Sequence, residues 1–405
     1  MALNHAHNRR DTLFIIFFYL LVFETSLVEY VSPIFTYTDE LFALYGICII
    51  IYQVLKTQII RIKKSSLGII LPLVIFVMTG LAGNIIYKYQ SLGYVLKDLF
   101  TNLKFYLSVV SGYILFRYVK PQPKTVLAHT RIITVFLFAL LVIDRVMPIF
   151  PTSEYRYGFR VTPLIYPHVT FLAGTCAFLL AIYLFYYEKN HLKYIVMTLV
   201  LLISTFRGKA LAGTAAYFVI LYFIVWKQRK FKLWHYLVLA LLSIYIAWDQ
   251  LLFYYVDLAG HSARSVLTLT SFEIVKDYFP IGTGFGTYAS DVAGETYSIV
   301  YVKYGFRAVS ELREGDGYFS DTFWPIIIGQ TGFIGTVSYF AAMFRLFLKS
   351  ANVKAVSKKA YGCVIFVFCY LLISSTSESA FNNSFCAPLA MMLGNSIYHS
   401  ESTNV

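Results

Sequence analysis

The sequence predicts an all-α polytopic membrane protein with about twelve transmembrane helices and one large extracytoplasmic loop. Apolar residues make up 58% of the 405-residue chain, charged residues make up only 14%, and the mean hydropathy is +0.66. A soluble chain of this length carries far more charge. The apolar residues are gathered into successive runs, and a single long polar interval, residues 256–321, interrupts them.

A helix needs about 20 apolar residues to cross a bilayer. We expect residues 1–255 to hold spans 1–9, residues 256–323 to form the large loop, and residues 324–405 to hold spans 10–12. The first run follows Arg9 and Arg10 but has no small-residue cleavage site, so we expect an uncleaved first span. The predicted spans are approximately 12–31, 39–55, 67–86, 101–118, 131–149, 166–187, 193–206, 210–226, 233–255, 324–347, 361–377 and 385–398.

The basic residues predict how the chain is oriented. With the N-terminus in the cytoplasm, 21 of the 34 basic residues fall in short cytoplasmic segments, together with only Asp11, Glu188 and Glu401 of the 21 acidic residues. This bias is the positive-inside pattern. It predicts that both termini are cytoplasmic and that the large loop is periplasmic. The net charge of +13 is then explained by topology, and no nucleic-acid partner is expected.

Several charged residues lie at the outer ends of predicted spans, where an unpaired charge is costly. Arg207 lies between two apolar runs with almost no loop, and arginine is suited to bidentate binding of phosphate. Lys209 beside it suits either phosphate binding or snorkelling to headgroups. Arg156, Arg160 and His168 lie in the outer segment that leads into the sixth predicted span.

That outer segment has simpler explanations as well. Pro163 and Pro167 predict an irregular start to the sixth helix. His168 alone is more often a structural residue than a base, and Asp144 with Arg145 suits a local ion pair. The five cysteines all lie in apolar runs without paired spacing, so neither a disulfide framework nor a metal site is expected.

The large loop contains the other candidate residues. Apolar residues of segment 265–279 fit one helical face and predict an amphipathic helix on the membrane surface or on the spans, with His261 and Arg264 at its start. Glycines at 282, 284 and 286 predict turns or close backbone approach. The acidic, Gly- and Tyr-rich part that follows is expected to be a lid or a glycan-binding segment. Asp321 closes the loop, at the mouth of the tenth predicted span.

Three segments, in this order, resemble the O-antigen polymerase and O-antigen ligase superfamily of polytopic glycosyltransferases. The resemblance covers roughly residues 156–335, and Arg160 with Tyr166-Pro167-His168 is a looser match to a further element. The three segments are Ser204-Thr205-Phe206-Arg207-Gly208, Arg264 followed by Pro280-Ile281-Gly282-Thr283-Gly284-Phe285-Gly286, and Asp321 followed by Gly329, Gly332 and Gly335.

The resemblance implies a cofactor-free, metal-independent O-antigen polymerase of the bacterial inner membrane. A growing glycan would leave undecaprenyl pyrophosphate and join the non-reducing-end sugar of a second carrier-linked repeat unit on the periplasmic face. Expected partners are these repeat units and membrane lipids, with a chain-length regulator and a flippase as further candidates. Such chemistry needs cations for the leaving pyrophosphate and a base for the acceptor hydroxyl.

We therefore expect catalytic residues at Arg207, Arg264 and Asp321, with Asp321 as the base. Residues expected to bind the pyrophosphate or glycan, the two histidines also serving as reserve bases, are Arg160, Arg156, Lys209, His168 and His261.

Three alternatives stay open. A ligase to lipid A core is disfavoured because this chain has Ser320-Asp321 where ligases of the superfamily carry a His-Asn-like pair. A lipid-linked oligosaccharide flippase or another transporter would place its binding groups near the midplane and connect its spans briefly. Here the cations lie at the outer side, beside a long loop of the kind that is usually functional. A structural assembly subunit without chemistry is the third alternative.

Overall fold

The computed structural model describes residues 2–58, 64–152, 154–228, 234–235, 237–238, 241, 252, 261–315 and 318–403. Within these residues the sheet consists of one antiparallel hairpin, β1 (Tyr155–Arg156) paired with β2 (Phe159–Arg160). The rest is dominated by helices: α1 (Ala2–Tyr30), α2 (Thr38–Thr57), α3 (Lys64–Tyr87), α4 (Leu92–Tyr118), α5 (Pro123–Val146), α6 (Val169–Phe185), α7 (Leu192–Ile203), α8 (Gly208–Ile220), α9 (Ala263–Asp277), α10 (Asp291–Glu295), α11 (Ile299–Lys303), α12 (Trp324–Ala351), α13 (Lys358–Ser374) and α14 (Cys386–Ser402).

The all-α prediction is therefore confirmed. Seven helical segments of the described residues are long and apolar enough to cross a membrane: Asp11–Tyr30, Pro33–Thr57, Ser65–Tyr87, Leu92–Tyr118, Pro123–Val146, Gly208–Trp226 and Trp324–Ala355. Eleven of the twelve predicted apolar segments contain a helix. The predicted span 233–255 lies mostly outside the described residues. The chain is thus a multi-pass helical membrane protein by length and composition, and the number of crossings stays a prediction.

Helix α6 forms the centre of the bundle. Nearly all of its side chains are buried, and it packs against α7 and α13. A helix that is apolar on all sides is stable only when protein surrounds it. Around this centre α4 packs against α2 and α14, and α3 packs against α12. The α4–α14 contact is so close that a Cβ at Gly394 would collide with the backbone of Tyr113.

The outward faces of several helices are apolar and exposed. Examples are Leu55 of α2, Ile85 of α3 and Val146 of α5, with 74%, 72% and 77% of their surface accessible. An exposed apolar surface of this kind is costly in water and favourable in lipid. These helices therefore present a lipid-compatible surface while their other faces pack inward.

Residues from predicted cytoplasmic segments contact one another at one end of the bundle. Lys349 donates a hydrogen bond to Ser66 at 2.8 Å and lies 3.9 Å from a carboxylate oxygen of Glu401. Lys359 donates to the Tyr187 carbonyl at 2.6 Å. Lys349 is near the end of α12, whereas Asp321 precedes its start. The two ends of the bundle therefore carry different sets of residues.

The glycine segment 280–286 docks into a break in α12. Gly332 interrupts that helix with φ 59° and ψ −157°. The carbonyls freed by the break accept hydrogen bonds from the loop. The Thr283 N–H donates to the Gly329 carbonyl at 3.1 Å, and the Gly284 N–H donates to the Gln330 carbonyl at 2.8 Å. A Cβ at Gly282 would collide with Gln330, so only glycine permits this approach. The predicted close backbone approach is confirmed, and its partner is the second glycine motif.

Asn84 of α3 holds the same loop from the other side. Its amide nitrogen donates to the Phe285 carbonyl at 2.9 Å, and its amide oxygen accepts from the Phe285 N–H at 2.8 Å. The Phe285 side chain is fully buried against Phe76. The loop from 280 to 286 is therefore fixed to two long helices, and it holds the flanking segments in place.

Helix α9 lies on the protein, packed against α12. It buries Leu267 and Ile274 and leaves Leu269 and Phe272 on its exposed side. The predicted apolar face is therefore divided between α12 and the surroundings. Phe279 at the end of the helix is also exposed. The predicted position on the spans is confirmed, and the position at the membrane surface stays a prediction.

Candidate functional site

Four basic side chains come together where α8 and α9 begin. We call Arg156, Arg207, Lys209 and Arg264 the cationic cluster. They come from the β-hairpin, the turn before α8, the first turn of α8 and the start of α9. Lys209 lies within electrostatic range of both Arg207 and Arg264. The cluster therefore joins segments that are far apart along the chain.

Arg207 is the N-cap residue of α8, and His168 orients it. One guanidinium nitrogen of Arg207 lies 2.6 Å from Nε2 of His168. A guanidinium only donates hydrogen bonds, so Nε2 is the acceptor. Burial, with the nearby charges of Arg207 and Lys209, lowers the pKa of His168, which precedes α6, to about 4. The imidazole is therefore uncharged at neutral pH, and it positions Arg207.

The turn before Arg207 is held by an aromatic stack and an acidic neighbour. Phe206 adopts a left-handed φ of 45°, a strained conformation for a bulky residue, and stacks on Phe159 with ring centroids 5.1 Å apart. Glu154 accepts a hydrogen bond from Arg156 at 2.7 Å and lies 3.9 Å from Arg207. The β-hairpin thus fixes the exit of α7 and brings Arg156 beside Arg207.

Lys209 is buried and forms an ion pair with Glu378, which follows α13. Its ammonium group also donates to the Thr170 hydroxyl of α6 at 3.1 Å. A buried ammonium group requires such partners because desolvation is costly. Glu378 is therefore a member of the site that was missed in the sequence.

Arg264 forms an ion pair with Asp321 at 2.7 Å and donates to the Ser377 carbonyl at 3.2 Å. The first N–H of α9, at Ala263, is occupied by the Glu311 carboxylate at 2.7 Å. Burial raises the pKa of Asp321, and it outweighs the opposing effect of the Arg264 charge. The sequence-predicted cation and base are thus direct partners, and Asp321 is held less acidic than an ordinary aspartate.

Two predicted binding residues lie apart from the cationic cluster. Arg160 forms a two-pronged ion pair with buried Asp144, with distances of 2.9 and 3.2 Å, and joins the end of α5 to the hairpin. The expected Asp144–Arg145 pair is wrong, because Arg160 takes the carboxylate and Arg145 donates instead to the Arg160 carbonyl. His261 is exposed and makes no hydrogen bond or ion pair with the described residues.

A polar cavity of about 450 Å³ lies beside the cluster. Its walls come from α1, α2, α4, α10 and the turn after α13. Pro167, Ser320 and Ser379 line it, and their chain neighbours His168, Asp321 and Glu378 belong to the site described above. Seven carboxylate side chains line this cavity, against only two lysines. We call it the acidic cavity.

The residues of the acidic cavity were also missed in the sequence. Lys104 of α4 forms a buried ion pair with Asp39 of α2, and Glu24 lies 4% exposed in α1. Glu24 and Lys104 lie inside predicted spans, and that position was the available signal. Ionisable residues within spans are costly and mark functional positions.

No protein-family model and no curated protein matches this sequence.

The middle of the large loop is a packed aromatic unit. Tyr301 stacks on Phe306 and Phe319 with ring centroids 5.0 and 4.9 Å apart, and all three rings are buried. Asp291 and Glu295, at the two ends of α10, face the acidic cavity from this unit. The segment expected to be a lid or a glycan-binding part is therefore one wall of a cavity.

Proposed function

We propose that the chain is a polysaccharide polymerase of the inner membrane, which transfers a growing glycan from undecaprenyl diphosphate to a carrier-linked repeat unit. The observation that carries the proposal is the joining of Arg207, Lys209, Arg264 and Asp321 at one end of an apolar helical bundle. Buried cations beside a carboxylate and a polar cavity suit a lipid diphosphate with an attached sugar.

The diphosphate binds at the start of α8. Arg207 and Lys209 lie at its N-terminus, where backbone N–H groups and the helix dipole favour an anion. Arg264 reaches the same place from the start of α9, and Arg156 reaches it from the β-hairpin. Each of these cations is held by a carboxylate, Glu154, Glu378 or Asp321. The ion pairs keep the cations in position until the substrate arrives.

Binding of the diphosphate also activates the base. The diphosphate competes with Asp321 for Arg264, so the carboxylate loses the partner that lowers its pKa. Burial then raises its proton affinity further. Asp321 takes the proton of the acceptor hydroxyl as that oxygen attacks the anomeric carbon of the donor. The carbon–oxygen bond to the diphosphate breaks, and its electron pair leaves with undecaprenyl diphosphate, stabilised by the arginines.

The proposed topology follows the basic residues. Twelve spans, cytoplasmic termini and a periplasmic loop at 256–323 place the cationic cluster on the outer face, where lipid-linked repeat units arrive. Lys349 and Lys359 lie at the opposite end, as this orientation requires.

The test is the surface polysaccharide of a deletion strain complemented with Arg207→Ala or Arg264→Ala. We expect single repeats on the lipid A core and loss of long chains on a gel, because a diphosphate lacking one arginine leaves about 10²–10³-fold more slowly. Lys276→Ala, an exposed cation at the end of the same helix α9, is the matched control and should restore long chains.

The same gel discriminates the alternatives. Free polymer on the carrier with no transfer to core would indicate a ligase. Repeat units trapped inside the cell would indicate a flippase. Long chains persisting in both arginine variants would contradict the catalytic assignment.

A further inference from the structure

The acidic cavity carries a second inference, which rests on the proposed function and names the class of sugar that it accepts. The cavity lies beside the cationic cluster, yet its charge has the opposite sign. A phosphate would be repelled, because carboxylates outnumber the two lysines in the lining. The cavity is therefore unsuited to the carrier diphosphate, and its occupant is a different part of the substrate.

Both lysines already have carboxylate partners. Lys104 is paired with Asp39 in the wall, and Lys97 lies 2.7 Å from Glu295 at the mouth. The remaining carboxylates, Glu24 among them, therefore present hydrogen-bond acceptors with no lysine paired to them. An occupant must be rich in donors and must carry no negative charge.

Two buried oxygen atoms mark where donors are needed. Glu24 Oε2 and Asn382 Oδ1 have no hydrogen-bond partner among the described residues, and both side chains line the cavity. Glu24 is only 4% exposed. A buried acceptor without a partner destabilises the protein, so a ligand that donates a hydrogen bond to it gains binding energy.

The shape and chemistry of the walls favour sugar rings. The volume of about 450 Å³ lies in the range of small-ligand pockets, far larger than an ion needs. Among the described residues there is no group of three or more His, Cys, Asp or Glu side chains arranged to hold a metal ion. Hydroxyl and amide groups of Thr25, Ser290 and Asn383 alternate with the carboxylates, and these groups both donate to and accept from sugar hydroxyls.

We infer that the acidic cavity is the acceptor-glycan subsite, and that it takes neutral or amino sugars while rejecting uronic and other acidic sugars. Ser320 in the cavity wall directly precedes Asp321 in the chain, so an acceptor bound here lies near the proposed base. The two neighbouring regions then divide the substrate, with the diphosphate on the cationic cluster and the sugar rings among the carboxylates.

The experiment uses the full chain in lipid nanodiscs and saturation-transfer NMR with matched sugars at millimolar concentration. The probes are the methyl glycosides of glucose, glucuronate, galactose and galacturonate, each pair differing only in the group at carbon 6. We expect transfer to a neutral member and about tenfold weaker binding of its acidic partner, because one added negative charge faces nearby carboxylates.

Two charge-removing variants test the cause. Glu29→Gln and Asp291→Asn, two exposed carboxylates of the cavity lining, keep the side-chain volume, and each should reduce the tenfold difference within a pair to about threefold. Glu314→Gln, an exposed carboxylate away from the cavity, is the control and should leave the difference unchanged. Thr101→Trp should obstruct the cavity and weaken transfer to the neutral sugars.

Equal binding of acidic and neutral members, no transfer to any sugar, or an unchanged difference in both charge variants would overturn the inference. The outcome is separable from that of the proposed function. If sugars do not bind while Arg207→Ala and Arg264→Ala still stop chain growth, only the subsite is wrong. If sugars bind as expected while those variants still make long chains, only the polymerase assignment is wrong.

Discussion

The cationic cluster and the acidic cavity lie side by side but differ in how their charges are held. The cluster is built from turns and helix starts, where backbone N–H groups add to the positive field. Much of the cavity wall is built from the bodies of α1, α2 and α4, and carboxylates dominate it. The contrast teaches that helix packing can place a cationic region and an anionic region side by side at one end of a bundle, and under the proposed function the first binds the diphosphate and the second binds the acceptor sugar.

Asp321→Asn should have the largest effect, and it should affect chain growth without affecting sugar binding in the acidic cavity. It removes the proposed base at the boundary of the two regions, so chain growth should fall by about 10²–10⁴-fold while sugar binding in the cavity persists. Initial rates with carrier-linked repeats in membranes measure this. Glu378→Gln, the other carboxylate at this boundary, should retain more activity because Lys209 holds Glu378 away from the substrate. A greater loss in Glu378→Gln than in Asp321→Asn would assign the base to Glu378.

The pH dependence sharpens the same point. A base must be deprotonated, and the pKa of Asp321 is raised by burial. The rate should therefore fall as pH decreases, with the fall beginning above the ordinary aspartate pKa of about 4. In Asp321→Asn the residual rate should lose this dependence. A wild-type rate that is flat through this acidic range would contradict Asp321 as the base.

Lys104→Met should lower the thermal stability of the protein at the wall of the acidic cavity. It leaves Asp39 buried without its cation, and Glu24 and Glu40 also lose the positive charge nearest to them. Breaking a buried ion pair on one side costs about 3–5 kcal/mol. Thermal unfolding in detergent should show a clear decrease, and the double variant Asp39→Asn with Lys104→Met should recover most of it. A single variant as stable as the wild type would mean that the pair is solvated.

Lys97→Ala should have the smallest effect. Its pair with Glu295 is exposed, with 54% and 48% of the two side chains accessible. Surface ion pairs contribute about 0–1 kcal/mol. Unfolding should hardly change, in contrast to Lys104 seven residues further along the same helix. A loss of stability as large as that of Lys104→Met would show that the Lys97–Glu295 pair is shielded from water as well as the Lys104–Asp39 pair is.

The sequence predicted the helices and the candidate arginines better than it predicted the site. Length and apolarity are local properties, so helices such as α3 and α12 could be located from composition alone. The partners of Arg207 and Lys209 could not, because His168 and Glu378 come from distant segments, just before α6 and just after α13. Arg160 shows the converse: it matched a motif loosely, yet it is used to hold Asp144 and the hairpin.

The glycine motifs show the same division. Their spacing predicted turns and close approach, and both are present. That Gly282 meets the break at Gly332 depended on α9 and α12 packing together, which no spacing within either motif encodes.

By itself the sequence determined that the chain is helical and membrane-compatible, because hydrophobic burial acts over short stretches. Only the tertiary structure decided which charges meet. Arg264 and Asp321 lie 57 residues apart and Arg207 and His168 lie 39 apart, and helix packing sets both contacts. Packing also brought carboxylates of four helices around one cavity beside the arginines, so this end of the bundle has a positive and a negative region side by side.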